Sequence, residues 1–364
     1  MWPDRRLLDL LRIEHPIIQA PMAGAMDFEL AAAVAEAGGL GSLPAAMLTP
    51  DQLRDQIAQF RSSTRKPLNV NFFCHVPPTP DAAREARWRE QLAPYYREYG
   101  LDPTAATPFA VRAPFNEAFC NVVEETRPEV VSFHFGLPSP ELMARVKATG
   151  AAILSSATHV GEARWLSERG VDAIIAQGLE AGGHRGMFLT DKLEGQVGIF
   201  ALTPQIVDVV DVPVIAAGGV GDARGIVAAL ALGAAGVQIG TAYLFCPEAK
   251  ISAPHRAALR GARDDATALT NLMSGRPARG IVNRVMRELG PISEVAPEFP
   301  LATGALAPLR AAAEARGSGD FSPLWAGQAA GLGRSLPASE LTYLLSAEAL
   351  ALVRALADAA AVVP

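Results

Sequence analysis

At 364 residues and 38.3 kDa, with 50% hydrophobic and 19% charged residues, the chain exceeds one small core and is too apolar for a disordered protein. Thirty-two basic against 38 acidic residues give a net charge of −6 with no Lys/Arg cluster, which argues against nucleic acid as a partner. Cys74, Cys120 and Cys246 are too few and too widely spaced for a disulfide framework or a C-x-x-C metal pair, and no H-x-x-x-H spacing occurs, so no metal site is expected.

The N-terminal run carries acidic residues and no small-residue cleavage site, and glycines break the longest apolar stretches well short of a bilayer span. The expectation is a cytoplasmic protein with no membrane partner. Its oligomeric state is not legible.

In chain order, Pro16–Met22 reads as a first strand ending in a Gly-containing turn, and Phe28–Ala37 as a helix stopped by Gly38-Gly39. Leu40–Leu43 is a second strand. Pro50–Ser62 is a helix entered through a Thr49-Pro50 cap, and Pro67–Phe73 is a third strand. Pro77–Ala113 is an insertion rich in Pro, Arg and aromatics, including Trp88, Tyr95, Tyr96 and Tyr99. Further strands follow at Glu129–Phe135, Ala151–Ser155, Ala173–Gln177, Val212–Ala217 and Gly236–Gly240, with amphipathic segments between them. Beyond about Pro247, Ala-rich helices are expected at Ala253–Ala258, Leu306–Ala315 and Ser339–Ala360.

Strands separated by helices imply parallel pairing, and eight such units close into a (β/α)8 TIM barrel. The reading is therefore an α/β protein: a barrel over residues 1–250, interrupted by the 77–113 insertion, and a helical cap or substrate lid over 251–364. The runner-up, a doubly wound open sheet, would need a G-x-G-x-x-G fingerprint after the first strand, which Gly24 alone does not supply.

Barrel sites form at strand C-termini, with phosphate usually after the last two strands. Gly218-Gly219-Val220-Gly221, followed by Asp222 opening a helix, comes after the seventh strand, and Gly240-Thr241-Ala242 after the eighth. Either turn alone would be an ordinary βα connection; both at the expected places point to phosphate, held by close backbone N–H groups and a helix N-terminus.

After the sixth strand comes Gln177-Gly178-Leu179-Glu180-Ala181-Gly182-Gly183-His184-Arg185-Gly186. His184 between glycines has no apolar face to pack on, so it is placed at the barrel mouth as a general base, or as a donor or cation toward an anion. The alternative is a loop histidine stabilising a turn. His134, at the end of the fourth strand, either lines the pocket or is a satisfied core residue. His75 is a weaker candidate. A Cys74–His75 dyad is disfavoured because neighbours on a strand face opposite ways. His15, His159 and His255 read as structural or solvated.

The strands also carry uncharged amides, Gln19, Asn69, Asn71, Gln177 and Gln238. Amides both donate and accept, as the edge of a neutral heteroaromatic ring requires. With two phosphate-type turns, this points to FMN.

The segments QAPMAG (19–24), LNVNFF (68–73), SFHFG (132–136), AQGLEAGGHRG (176–186), VPVIAAGGV (212–220) and GAAGVQIGTAYL (233–244) resemble the class I nitronate monooxygenases, once called 2-nitropropane dioxygenases; LWAGQ (324–328) is also similar to that family's C-terminal region. The EAGGHRG segment is the specific one.

The resemblance implies an FMN enzyme that oxidises alkyl nitronates, typically propionate 3-nitronate, with O2 to a carbonyl compound and nitrite. It implies FMN contacts from Met22, Asn71, Gln177 and Gly182, and from Gly218, Gly219, Gln238, Gly240 and Thr241. His184 matches the family's active-site histidine and His134 a second pocket histidine. Members also tend to carry tyrosines and a lysine near the substrate. Here Phe299-Pro300-Leu301 and Phe321-Ser322-Pro323 stand in those regions, and no lysine follows Lys250.

Rival readings are an NADH-dependent flavin reductase of the enoyl-acyl carrier protein or quinone type, and a flavin-binding protein without turnover. A phosphate-binding aldolase or isomerase barrel would need a strand lysine for Schiff-base chemistry, and the central strands have none.

Overall fold

Short Val/Ile/Ala-rich runs build the centre of the molecule. The computed structural model describes residues 2–105 and 112–361, so part of the 77–113 insertion and the last three residues lie outside it. Among the described residues nine strands precede residue 240: β1 (Ile17–Gln19), β2 (Gly41–Pro44), β3 (Leu68–Phe73), β4 (Val130–His134), β5 (Ala152–Ala157), β6 (Ala173–Gln177), β7 (Gly183–His184), β8 (Val214–Ala217) and β9 (Gly236–Ile239).

All but β7 form one parallel sheet in the order β1-β9-β8-β6-β5-β4-β3-β2. Its ends meet through the Ile18–Leu40 bridge, where Gln19 N donates to Leu40 O (3.0 Å) and Leu40 N to Ile17 O (2.9 Å). The sheet thus closes into the expected barrel. Its strands are buried on both faces, as a helix-jacketed parallel sheet requires.

Local signals set the helix starts. Thr49 and Gln52 form a capping box with Pro50 in the first turn of the helix Pro50–Ser63, and Asp222 caps Ala223–Ala231 by accepting from Arg224 N (2.9 Å). The helix Phe28–Glu36 crosses so close to β2 that a Cβ at Gly41 would lie 2.1 Å from Ala31 O. Gly41→Ala is therefore expected to destabilise the fold by about 3 kcal/mol through overpacking, measurable as a lowered unfolding midpoint in denaturant.

Two parts of the C-terminal reading change. The cap is not purely helical: β10 (Thr267–Thr270) and β11 (Ala278–Ile281) form an antiparallel ribbon that adds β7 as its third strand, so His184 pairs with Ala278. The last helix, Ala338–Ala361, packs between Phe28–Glu36 and Ala223–Ala231, completing the barrel's outer ring rather than covering the mouth. Its Thr342 Oγ1 shares a hydrogen bond with Tyr243 Oη (2.8 Å).

The insertion contributes the helix Ala82–Glu98, which packs on Ala302–Ala315. Trp88, Leu92, Tyr95 and Tyr96 join Leu272, Leu306, Leu309 and Phe321 in a second hydrophobic core beside the barrel. No helix among the described residues is long and apolar enough to cross a membrane.

Candidate active site

A cavity of about 330 Å3 opens at the C-terminal ends of the barrel strands, within the size range of small-molecule sites. Its lining includes all nine residues expected at a cofactor, together with His134 and His184.

Part of the lining is made of glycine turns. Gly218 and Gly219 have φ of +113° and +70°, and a Cβ at Gly218 would sit 2.9 Å from Ala181 N. At Gly182 a Cβ would be 2.5 Å from Gly327 N. Only glycine allows these backbones to approach so closely. Among the described residues none accepts a hydrogen bond from the amides of Gly219, Val220 or Gly221. Thr241 Oγ1 accepts from Gly327 N (2.9 Å), which leaves its own proton to donate. The helix N-terminus behind this turn is already occupied by the Asp222 carboxylate, itself paired with Arg224, so an anion here would rest on loop amides rather than on the helix end.

The amides divide. Gln238 lines the cavity and its buried Oε1 has no partner among the described residues, an acceptor awaiting an N–H. Asn71 donates to Ser132 Oγ (2.9 Å). Gln177 is spent largely on the histidine loop: Oε1 accepts from Gly186 N (2.7 Å) and Nε2 donates to His184 O (2.9 Å). Gln19 and Asn69 do not line the cavity. Gln19 Oε1 accepts from Ser42 N (2.9 Å) and braces the thin β1–β2 seam, and Asn69 donates to Ser42 Oγ (3.0 Å), so these two satisfy the barrel interior instead.

His184 also lines the cavity. Its ring lies 5.2 Å from the Phe299 ring and 5.5 Å from Trp325, centroid to centroid. Nε2 is 2.8 Å from Ser274 Oγ, whose proton is directed to Arg276 O (3.4 Å); Ser274 then accepts from Nε2–H, and Nδ1 is left as the lone-pair nitrogen. Burial, followed by Arg112, His134, Arg276 and His75, holds the imidazole pKa well below its usual value. Burial thus favours the neutral ring over the cation among the roles read from the sequence.

His134 donates from Nε2 to His184 O (3.3 Å), and its Nδ1 is 2.8 Å from Ser156 Oγ. Burial lowers its pKa to about 3. Both its nitrogens serve the wall, so it fixes the His184 backbone more directly than it could touch a ligand.

Several site residues carried no local signal. Arg185 is fully buried, donating to Gly178 O (2.6 Å), Gln177 O (2.9 Å) and Gln196 Oε1 (2.8 Å), and so staples the histidine loop. Glu180 of the same loop accepts from Ile199 N (2.9 Å) at the start of the next helix. His255 lines the cavity with Nε2 3.0 Å from Trp325 O. Arg112 and Arg310 line it as well.

The insertion tyrosines do not line the cavity: Tyr96 Oη donates to Ala305 O (2.6 Å), and Tyr95 stacks edge-on to Phe321 at 5.3 Å. Burial raises the Cys74 thiol pKa, so no thiolate nucleophile forms there. His15 accepts from Trp2 and His159 caps a helix, both structural. Among the described residues no three His, Cys, Asp or Glu side chains gather to hold a metal.

A closed parallel barrel with a histidine over a glycine-lined cavity at its strand C-termini defines a barrel enzyme. The family model described as nitronate monooxygenase matches residues 4–348. Curated nitronate monooxygenases from Paraburkholderia phytofirmans and Pseudomonas aeruginosa are 46% and 43% identical to this chain; each comparison covers 94% of it, and 94% and 98% of the respective relative. Among solved structures, the nitroalkane oxidase from Streptomyces ansochromogenes is 40% identical with a TM-score of 0.88, covering 96% of this chain and 99% of that one. FabK from Thermotoga maritima is 29% identical with a TM-score of 0.75, over 98% and 99%. The chain belongs to the nitronate monooxygenase family and is an oxidoreductase.

Proposed function

We propose that this enzyme uses FMN and O2 to oxidise alkyl nitronates, propionate 3-nitronate foremost, to a carbonyl compound and nitrite. The observation that carries the reading is one cavity lined by glycine amides and a Gln238 Oε1 that have no partners among the described residues, and by His184 beside Phe73, Phe299 and Trp325. That donor and acceptor set fits a flavin mononucleotide. Gly218, Gly219, Gly240 and Thr241 would hold its phosphate end, and Met22, Asn71, Gln177, Gly182 and Gln238 its ring. Bound there, FMN supplies the oxidising chemistry by accepting electrons from the nitronate.

His184 favours a preformed nitronate over the neutral nitroalkane. An imidazole whose pKa is pushed down is a weak base toward a carbon acid. A nitronate needs no proton removed, and the aromatic wall of Phe73, Phe299 and Trp325 keeps water from its reacting carbon.

The test is the visible spectrum of the purified protein, followed by anaerobic addition of propionate 3-nitronate. Flavin absorbance that bleaches with nitronate and not with NADH supports the proposal. Bleaching by NADH alone reassigns the protein as a reductase, a flavin inert to both makes it a binding protein, and no flavin after supplying FMN overturns the cofactor.

A further inference from the structure

We propose that Arg112 binds the O–N–O group of the substrate and carries its charge recognition. The proposal deepens the nitronate reading and rests on it for the identity of the anion.

Four arginines lie around the junction of barrel and cap, Arg185 and Arg279 buried and Arg112 and Arg276 half-buried, and three have acceptors. Arg185 has those named above. Arg279 donates to Leu179 O (3.0 Å) and Thr267 Oγ1 (3.2 Å), while Arg276 donates to Met187 O and lies 4.1 Å over the Phe135 ring. Arg112 lines the cavity, yet among the described residues it has neither a hydrogen-bond acceptor nor a carboxylate partner; its recorded neighbour is the Phe299 ring, 5.6 Å from Cζ. Burial and the charge of Arg310 act against its protonation, and among the described residues nothing offsets them. A guanidinium nonetheless stays charged, and a half-buried charge without a partner is unfavourable. The missing partner is an anion that enters the cavity.

The other cations of the cavity are engaged. Lys250 pairs with Glu29 (2.5 Å) and Asp27 (3.4 Å), and Arg310 with Glu314 (3.0 Å). Arg112 also stands near His184: Phe299 is the neighbour the two share, and Arg112 is the first of the charged groups depressing the His184 pKa. The phosphate-type turns after β8 and β9 have their own amide donors. A nitronate presents two oxygens on one planar nitrogen with the charge shared between them, the same fork a carboxylate offers, and a guanidinium meets that fork with two parallel N–H donors.

The experiment uses flavin-loaded enzyme and nitrate, a planar O–N–O anion that cannot be oxidised here, titrated by calorimetry into wild type, Arg112→Gln and Arg112→Lys. Arg112→Gln is expected to weaken nitrate binding by about 10- to 100-fold, the loss of a charge-assisted hydrogen-bonded pair. It should raise KM for the nitronate by a similar factor with kcat largely kept. Arg112→Lys, which keeps the charge and loses the fork, should fall between and serves if the Gln variant does not fold. Removing the positive neighbour should also raise the His184 pKa seen by NMR, a change that loss of packing alone would not give.

Wild-type nitrate affinity and KM in folded, flavin-loaded Arg112→Gln would overturn the assignment while leaving nitronate oxidation intact. Conversely, Arg112-dependent nitrate binding in an enzyme that oxidises no nitronate would uphold the anion site and sink the nitronate reading.

Discussion

His184→Gln is expected to lower turnover of a neutral nitroalkane by about 100-fold, the low end of a positioned base's contribution because the buried imidazole is a weak base. With a preformed nitronate the loss should stay within about tenfold, the worth of one hydrogen bond. The asymmetry follows from geometry. Nε2 is anchored to Ser274 Oγ at 2.8 Å, so Nδ1 is the nitrogen left to accept a proton. Only the nitroalkane has a C–H proton for it to take. Glutamine keeps much of the ring's volume and can still reach Ser274, but it has no basic nitrogen. Initial rates of oxygen consumption with nitroethane and with ethyl nitronate at one pH measure the split. Equal losses on both substrates would place His184 in a step common to them rather than in proton removal.

Acid should unfold this protein early. Burial lowers the pKa of His75 and His255 to about 4 and of His134 to about 3, and depresses His184 too. In the unfolded chain these groups titrate near 6.5. Below that pH the unfolded state binds protons that the folded state refuses, so stability falls as pH falls, and it is full only above about 6.5. Each group contributes a slope approaching about 1.4 kcal/mol per pH unit between its unfolded and folded values. Against a typical domain stability of about 5–15 kcal/mol, four such groups suffice to unfold the protein within a few pH units. The unfolding temperature should be level from pH 7 to 8 and drop steeply below pH 6. His134→Gln should shallow the slope by one proton. A level profile from pH 4.5 to 6.5 would show that the histidines are not buried neutral.

The barrel was legible because a parallel sheet jacketed by helices buries both faces of each strand, so its strands stand out as apolar runs such as AIIAQ at 173–177. The glycine turns were legible for a related reason: Gly218 and Gly219 sit at positive φ directly after such a run. The ribbon of β10 and β11 was not. TALT and ARGI are short and mixed in polarity, and they become strands only because β11 finds β7, nearly a hundred residues away in sequence. Arg112 lay in an irregular stretch where no periodicity marks a side chain as buried.

Residue chemistry and local pattern by themselves determined the eight-strand barrel, the glycine turns at its mouth and the exceptional histidine loop, because each depends on neighbours a few positions apart. The tertiary structure alone decided depth and company. Asn69 and Asn71 share one face of β3, yet only Asn71 reaches the cavity while Asn69 turns to Ser42 inside the barrel. The terminal helix joined the outer ring rather than the lid, and the insertion tyrosines entered a second core. Burial and distant charges, not flanking residues, press His184 toward the neutral form and leave Arg112, among the described residues, without a protein anion.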